Sequence, residues 1–107
     1  MSSPNNLIIN KSKALIGNLK IPGDKSISHR SVILGPLSNG ELSISNFLTS
    51  DDCNATISAM RELGADITVN DNQVHIKGKG LFSLKQPKNI IDAGNSGTLI
   101  RLLTGVL

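Results

Sequence analysis

Pro22-Gly23-Asp24-Lys25-Ser26-Ile27-Ser28-His29-Arg30 is the stretch on which the reading of this chain turns. Pro22 cannot donate to a strand ladder and Gly23 permits a sharp turn, so an extended segment ends there. From Ser26 to Leu37 the apolar residues Ile27, Ile33, Leu34 and Leu37 are spaced for a helix, which Asn39-Gly40 closes. A turn that opens a helix presents free backbone N–H groups and the positive end of the macrodipole, both suited to an anion. Lys25 and Ser26 add an ammonium and a hydroxyl at that end. Arg30 stands one turn further, at i+4 from Ser26, with a guanidinium that can grip phosphate or carboxylate bidentately. The spacing is neither that of a Walker A loop nor that of a dinucleotide fingerprint. A capped helix with solvated Lys25 and Arg30 accounts for the same residues equally well.

Outward from this stretch, strands are expected at Leu7-Ile8-Ile9 and from Ala14 to Ile21. Downstream, Leu42 and Ile44 alternate with Ser43 and Ser45 as a half-buried strand. Ser50-Asp51-Asp52 opens a helix whose Cys53, Ile57 and Met60 share one face, and Gly64 ends it. The alternating pairs Ile67/Val69 and Val74/Ile76 form a hairpin through Asp71-Asn72, residues that tolerate positive φ. A loop over 77–89, a short strand at Ile90-Ile91 and an apolar helix from Ser96 complete the order. The class is α/β in the mixed, α+β sense.

A second candidate site is Asp92-Ala93-Gly94-Asn95-Ser96-Gly97-Thr98-Leu99-Ile100-Arg101. Gly94 and Gly97 let a ligand approach the backbone, and Asn95 and Thr98 supply neutral hydrogen bonds. The plainer alternative is Asn95 or Ser96 as an ordinary N-cap, with Gly97 permitting close packing. Gly23 and Gly94 each precede an arginine, Arg30 and Arg101, by seven residues, which hints at a repeat. The final run, Leu99 to Leu107, is an apolar helix without a closing Gly-Pro or polar tail, as expected of a polypeptide cut short.

Composition narrows the function. The net charge is +3, from 11 Lys+Arg against 8 Asp+Glu, and the cations are scattered. A nucleic-acid surface wants a basic stripe, and single-strand binding wants aromatic faces; this chain has two Phe, no Tyr and no Trp. The single cysteine, Cys53, forms no internal disulfide, fits a reducing compartment and reads as core. No run is apolar and long enough to span a membrane, and Met1–Asn6 has no signal-peptide pattern, so a cytoplasmic setting is expected. His29 is expected in a surface or packing role rather than as a proton shuttle, and His75 to be solvated on a hairpin. Asp51 and Asp52 complement a helix dipole.

Together the two signatures resemble those of the 5-enolpyruvylshikimate-3-phosphate synthase family, with Ser50-Asp51-Asp52 between them and similarity from about Ile16 to Leu107. The resemblance implies two domains of repeated βαβαββ units with the active site in the cleft between them. Residues 1–20 would give the first strands of one domain, completed by later sequence. Residues 21–107 would open the second, as one unit plus the strand and helix that begin the next. The implied reaction moves the enolpyruvyl group of phosphoenolpyruvate onto the 5-hydroxyl of shikimate 3-phosphate and releases phosphate through a tetrahedral intermediate. No metal or organic cofactor is implied, and no partner beyond the two substrates; a monomer is implied for the full-length enzyme.

Carried over by position, Lys25 would touch both substrates, and Ser26 and Arg30 would hold shikimate 3-phosphate. Asn95, Gly97 and Thr98 would line the phosphoenolpyruvate side, where a methyl on Gly97 would obstruct that substrate and its mimic glyphosate. Lys25 and Asp52 would be the catalytic residues, Asp52 lying close to the site and organising it, and Arg101 would support it. Leu102 departs from the Pro that many relatives carry after the Arg. The alternatives are an enolpyruvyl transferase for a UDP-sugar, which typically has Lys-Asn at Lys25-Ser26, and a non-catalytic phosphate-binding α/β module.

Overall fold

The computed structural model describes residues 6–94 and 96–107. In chain order the elements are α1 (Lys25–Leu34), a 3-10 turn (Gly35–Leu37), β1 (Glu41–Ile44), α2 (Asp51–Glu62), β2 (Asp66–Asn70), β3 (Gln73–Lys77) and α3 (Gly97–Val106). Each helix starts on a side-chain cap. Asp24 accepts from the Ile27 amide at 2.8 Å, Ser50 from that of Cys53 at 3.2 Å and Ser96 from that of Leu99 at 3.0 Å. Each short polar side chain satisfies one of the donors a helix start leaves without an intrahelical partner.

The first helix stops earlier than its apolar spacing predicts. Pro36 has no N–H to return to Val32, so the last turn tightens into the 3-10 form. The second helix closes as expected: Gly64 has φ +96, the Gly64 amide donates to Arg61 O at 3.0 Å and the Ala65 amide to Met60 O at 2.9 Å. That pair of bonds is a Schellman motif, which needs a left-handed residue at its centre.

The three strands form one antiparallel sheet in the order β1-β3-β2. The β2–β3 hairpin turns at Asp71, whose φ is +53, with Asn70 facing Gln73. Leu42 pairs with Ile76 and Ile44 with Val74 across β1 and β3. Ile67, Val74 and Ile76 are buried and belong to one core with Val32 and Ile33 of α1, Cys53, Ile57 and Met60 of α2, and Leu99 and Leu103 of α3. Removing each such side chain from water contributes about 1.5–3 kcal/mol. Gly35 brings the turn after α1 directly onto the sheet, since a Cβ there would stand 2.8 Å from Ile76 Cδ1.

The strands expected at Leu7–Ile9, Ala14–Ile21 and Ile90-Ile91 do not form: among the described residues these segments join no ladder, and most of their large apolar side chains are exposed. A strand exists only through hydrogen bonds to a neighbour, and none lies beside them. What stands is therefore α-β-α-β-β followed by α3, without the leading strand of the expected unit. Among the described residues no helix is long and apolar enough to cross a membrane.

Candidate functional site

The start of α1 is pinned from several sides. A Cβ on Gly23 would collide with the Asn46 carbonyl oxygen and stand 3.1 Å from the Leu48 amide, so only glycine fits. Asn46 Nδ2 donates to Ile21 O at 3.1 Å; Ser28 Oγ donates to Asp24 O at 2.7 Å and accepts from the Leu48 amide at 3.1 Å. From this turn Lys25 reaches across to α2, where its Nζ meets Asp52 Oδ2 at 2.7 Å. The hydrogen bond to Asp52 and then that carboxylate's charge raise the Lys25 pKa above the ordinary lysine value. Lys25 is thus a fixed ammonium, half-exposed, with three protons of which Asp52 takes one.

Arg30 folds back over the same helix start, its Nη1 donating to Ser26 O at 3.2 Å. It also rims a groove of about 400 Å³ between α1 and β1, lined by Ile27, Ser31, Leu34, Gly35, Ser38 and Leu42. That groove is mostly apolar and offers a polyanion nothing beyond the guanidinium and two serine hydroxyls.

At the start of α3, Gly94 takes φ +59 and its amide donates to Asp92 Oδ1 at 2.8 Å. The buried Ser96 caps the helix. Among the described residues a Cβ on Gly97 would meet only Arg101 Nη1, at 4.0 Å, and the arginine leans back over this turn. Thr98 is half-buried. Asn95, expected on the phosphoenolpyruvate side, lies outside the described residues.

The two starts are joined through the first turns of α2. Lys25 pairs with Asp52, and a Cβ on Gly94 would stand 3.9 Å from that of Ala55, three residues on. Further along, Arg30, Ile33 and Leu34 face Leu102 and Val106 around a cavity of about 140 Å³. Both helices therefore run in one direction from one end of the molecule. Leu102 sits inside an unbroken α3 and lines this contact, so its departure from Pro leaves the helix straight through that position.

The structure pairs Lys25 with Asp52, folds Arg30 over Ser26 and sets Arg101 beside Gly97. Sequence reasoning put Asp52 close to the site of Lys25, Ser26 and Arg30 and gave Arg101 a supporting role. It missed that Asp24 is itself the α1 cap, so a carboxylate already sits against that positive helix end. The signal was present, an Asp three residues before the helix's first apolar residue. It also missed a buried contact between His29 and Thr56, for which spacing along one helix gives no cue. Cys53 is core, with its thiol 3.9 Å from Lys25 O.

Comparison with known proteins matches this picture. The family described as EPSP synthase (3-phosphoshikimate 1-carboxyvinyltransferase) matches residues 9–107. A 3-phosphoshikimate 1-carboxyvinyltransferase of Alkaliphilus metalliredigens is 48% identical over 101 residues, which are 94% of this chain and 24% of that protein. One from Bacillus cytotoxicus is 50% identical over 99 residues, 92% of this chain and 23% of its own. The solved EPSP synthase from Acinetobacter baumannii superposes with a TM-score of 0.80 at 41% identity, over 85% of this chain and 21% of that one. The chain spans about a quarter of the length of the curated relatives it matches. With a family match over residues 9–107, nearly its whole length, this chain belongs to the EPSP synthase family.

Proposed function

We propose that these residues form one side of a site that transfers the enolpyruvyl group of phosphoenolpyruvate to the 5-hydroxyl of shikimate 3-phosphate, a step of aromatic amino-acid biosynthesis. The observation that carries it is the Lys25–Asp52 pair at 2.7 Å, which holds the ammonium of the first family signature against the start of α2. Both substrates are polyanions, and fixed cations and oriented amides stabilise charge that develops on them without reorganising during reaction. Lys25 then contacts both substrates. Ser26 and Arg30 hold the 3-phosphate of shikimate 3-phosphate, and the Gly97 backbone, Asn95 and Thr98 line the phosphoenolpyruvate side. Asp52 orients Lys25, and Arg101 supports the Gly97 turn. As the hydroxyl adds and phosphate departs, these cations hold both anions in place against their mutual repulsion.

The same reading assigns residues 1–20 to the first strands of one domain and 21–107 to the opening of a second. The exposed apolar side chains of Leu7 to Ile21 support it, because a strand takes them out of water only beside a partner. It also carries a monomeric enzyme in the cytoplasm. The 107-residue chain by itself is expected to show no turnover, since it supplies cations from one side only.

The test is a chimera in which residues 9–107 replace the matching segment of the Bacillus cytotoxicus relative. It should release phosphate from phosphoenolpyruvate only when shikimate 3-phosphate is present, and Lys25→Met should lower kcat/KM by about a hundredfold. A folded chimera that binds neither substrate, or that prefers a UDP-sugar, would sink the reading.

A further inference from the structure

A second, buried link joins α1 and α2 one turn beneath the Lys25–Asp52 pair. His29 follows Lys25 by four residues on α1, and Thr56 follows Asp52 by four on α2. Residues so spaced lie on one helix face, so the two pairs form successive rungs between the helices. His29 Nδ1 stands 2.7 Å from Thr56 Oγ1, and both residues are 0% exposed. Thr56 Oγ1 also donates to Asp52 O at 3.2 Å, which ties the lower rung to the backbone of the upper one.

Proton counting fixes the state of the ring. The threonine hydroxyl has one proton, and if Asp52 O receives it, Oγ1 must accept from Nδ1–H. His29 Nε2 is buried and has no hydrogen-bond partner among the described residues. The opposite tautomer would bury an N–H without an acceptor, and a protonated ring would bury a charge as well; both cost more than an idle lone pair. The ring is therefore neutral with its proton on Nδ1. The charges around it agree in sum: burial lowers its pKa most, Lys25 and Arg30 on α1 lower it further, and only Asp52 on α2 opposes them.

A half-exposed lysine–carboxylate pair does not by itself hold two helices in register, because water screens it and the lysine stem is flexible. A buried, uncharged hydrogen bond in a low-dielectric core does. We propose that His29 is a positioning residue: through Thr56 it sets the register of α1 against α2 and so places the Lys25 ammonium where an anionic substrate meets it. The proposal rests on the reading of Lys25 as a ligand-binding group.

Shikimate 3-phosphate binding to the chimera, measured by calorimetry beside thermal melts, tests it. Thr56→Val and His29→Leu should each weaken binding by about tenfold, the loss of one positioned charge-assisted contact. His29→Asn, whose amide N–H can stand in for Nδ1–H, should recover most of it. Wild-type affinity in folded Thr56→Val, with Lys25→Met still deficient, overturns the positioning role and leaves the function reading intact. Wild-type affinity in Lys25→Met overturns both. Should the apolar variants not fold, nitrogen NMR of the His29 ring decides. A neutral ring protonated at Nδ1 from pH 7.5 to 6 supports the proposal, and an Nε2–H tautomer or a solvent-like titration overturns it.

Discussion

At the start of α1 the cap is a carboxylate, Asp24, whereas at the start of α3 it is the neutral hydroxyl of Ser96. The first cancels part of the helix's own positive end, and the anion-attracting charge is moved outward onto Lys25 and Arg30. The second leaves the dipole uncancelled and keeps side chains out of the way, with Gly97 open to within 4.0 Å of Arg101. Two turns with the same Gly-to-Arg spacing thus offer a negative ligand different things. One gives an ammonium steadied by a neighbouring helix and a guanidinium folded over its own helix start, the other gives backbone amides and space.

Substituting the glycines breaks this comparison most sharply. Gly23→Ala should destabilise the chain by about 3 kcal/mol in urea denaturation, because the new methyl meets the Asn46 carbonyl, which is backbone and cannot step aside. Gly97→Ala meets no such obstacle, so stability should hold while the chimera's KM for phosphoenolpyruvate rises by about tenfold or more, a steric cost of roughly 1.4 kcal/mol. An unchanged KM would remove Gly97 from the substrate side. Gly94→Ala should cost about 1 kcal/mol for a different reason: there is room for the methyl, but φ +59 is left-handed.

Acid probes the α1 side alone. The folded-state pKa of His29 lies below its unfolded value, so the unfolded chain takes up a proton first as pH falls. Stability is then fully present above the unfolded histidine value near 6.5 and declines below it, until the folded ring also protonates. Denaturation midpoints at pH 7.5 and 5.5 should show the loss, and His29→Asn should flatten it. The smallest effect is expected from Asp24→Asn, which keeps the cap and removes its charge. Binding of shikimate 3-phosphate to the chimera should tighten by roughly threefold at low salt, and the gain should fade at high salt. A salt-independent change would mean that the Asp24 charge does not act on the ligand.

Much of the fold was legible because its signals are short-range. The Gly64 stop, the Asp71 turn and the caps at Ser50 and Ser96 each act across two to five residues, and each stands where its residue type allows. The strands at Leu7–Ile9, Ala14–Ile21 and Ile90-Ile91 were read from equally apolar runs and do not form. Apolar alternation states that a segment can pair, not that a partner lies beside it. For His29 a surface role and a packing role stood side by side; burial settles on packing, and its threonine partner lies 27 residues away where no periodicity points to it.

The amino-acid order alone therefore determined where helices begin, where they stop and which side chains stand at each beginning, since capping and turn chemistry operate over a few bonds. Only the folded chain decided that Lys25 would meet Asp52, that Gly94 would lie against Ala55 and that His29 would be sealed on Thr56. Those contacts depend on how α1 and α3 settle against α2 over a shared apolar core. Packing of that kind is resolved by shape and burial across the whole molecule, not by any local pattern.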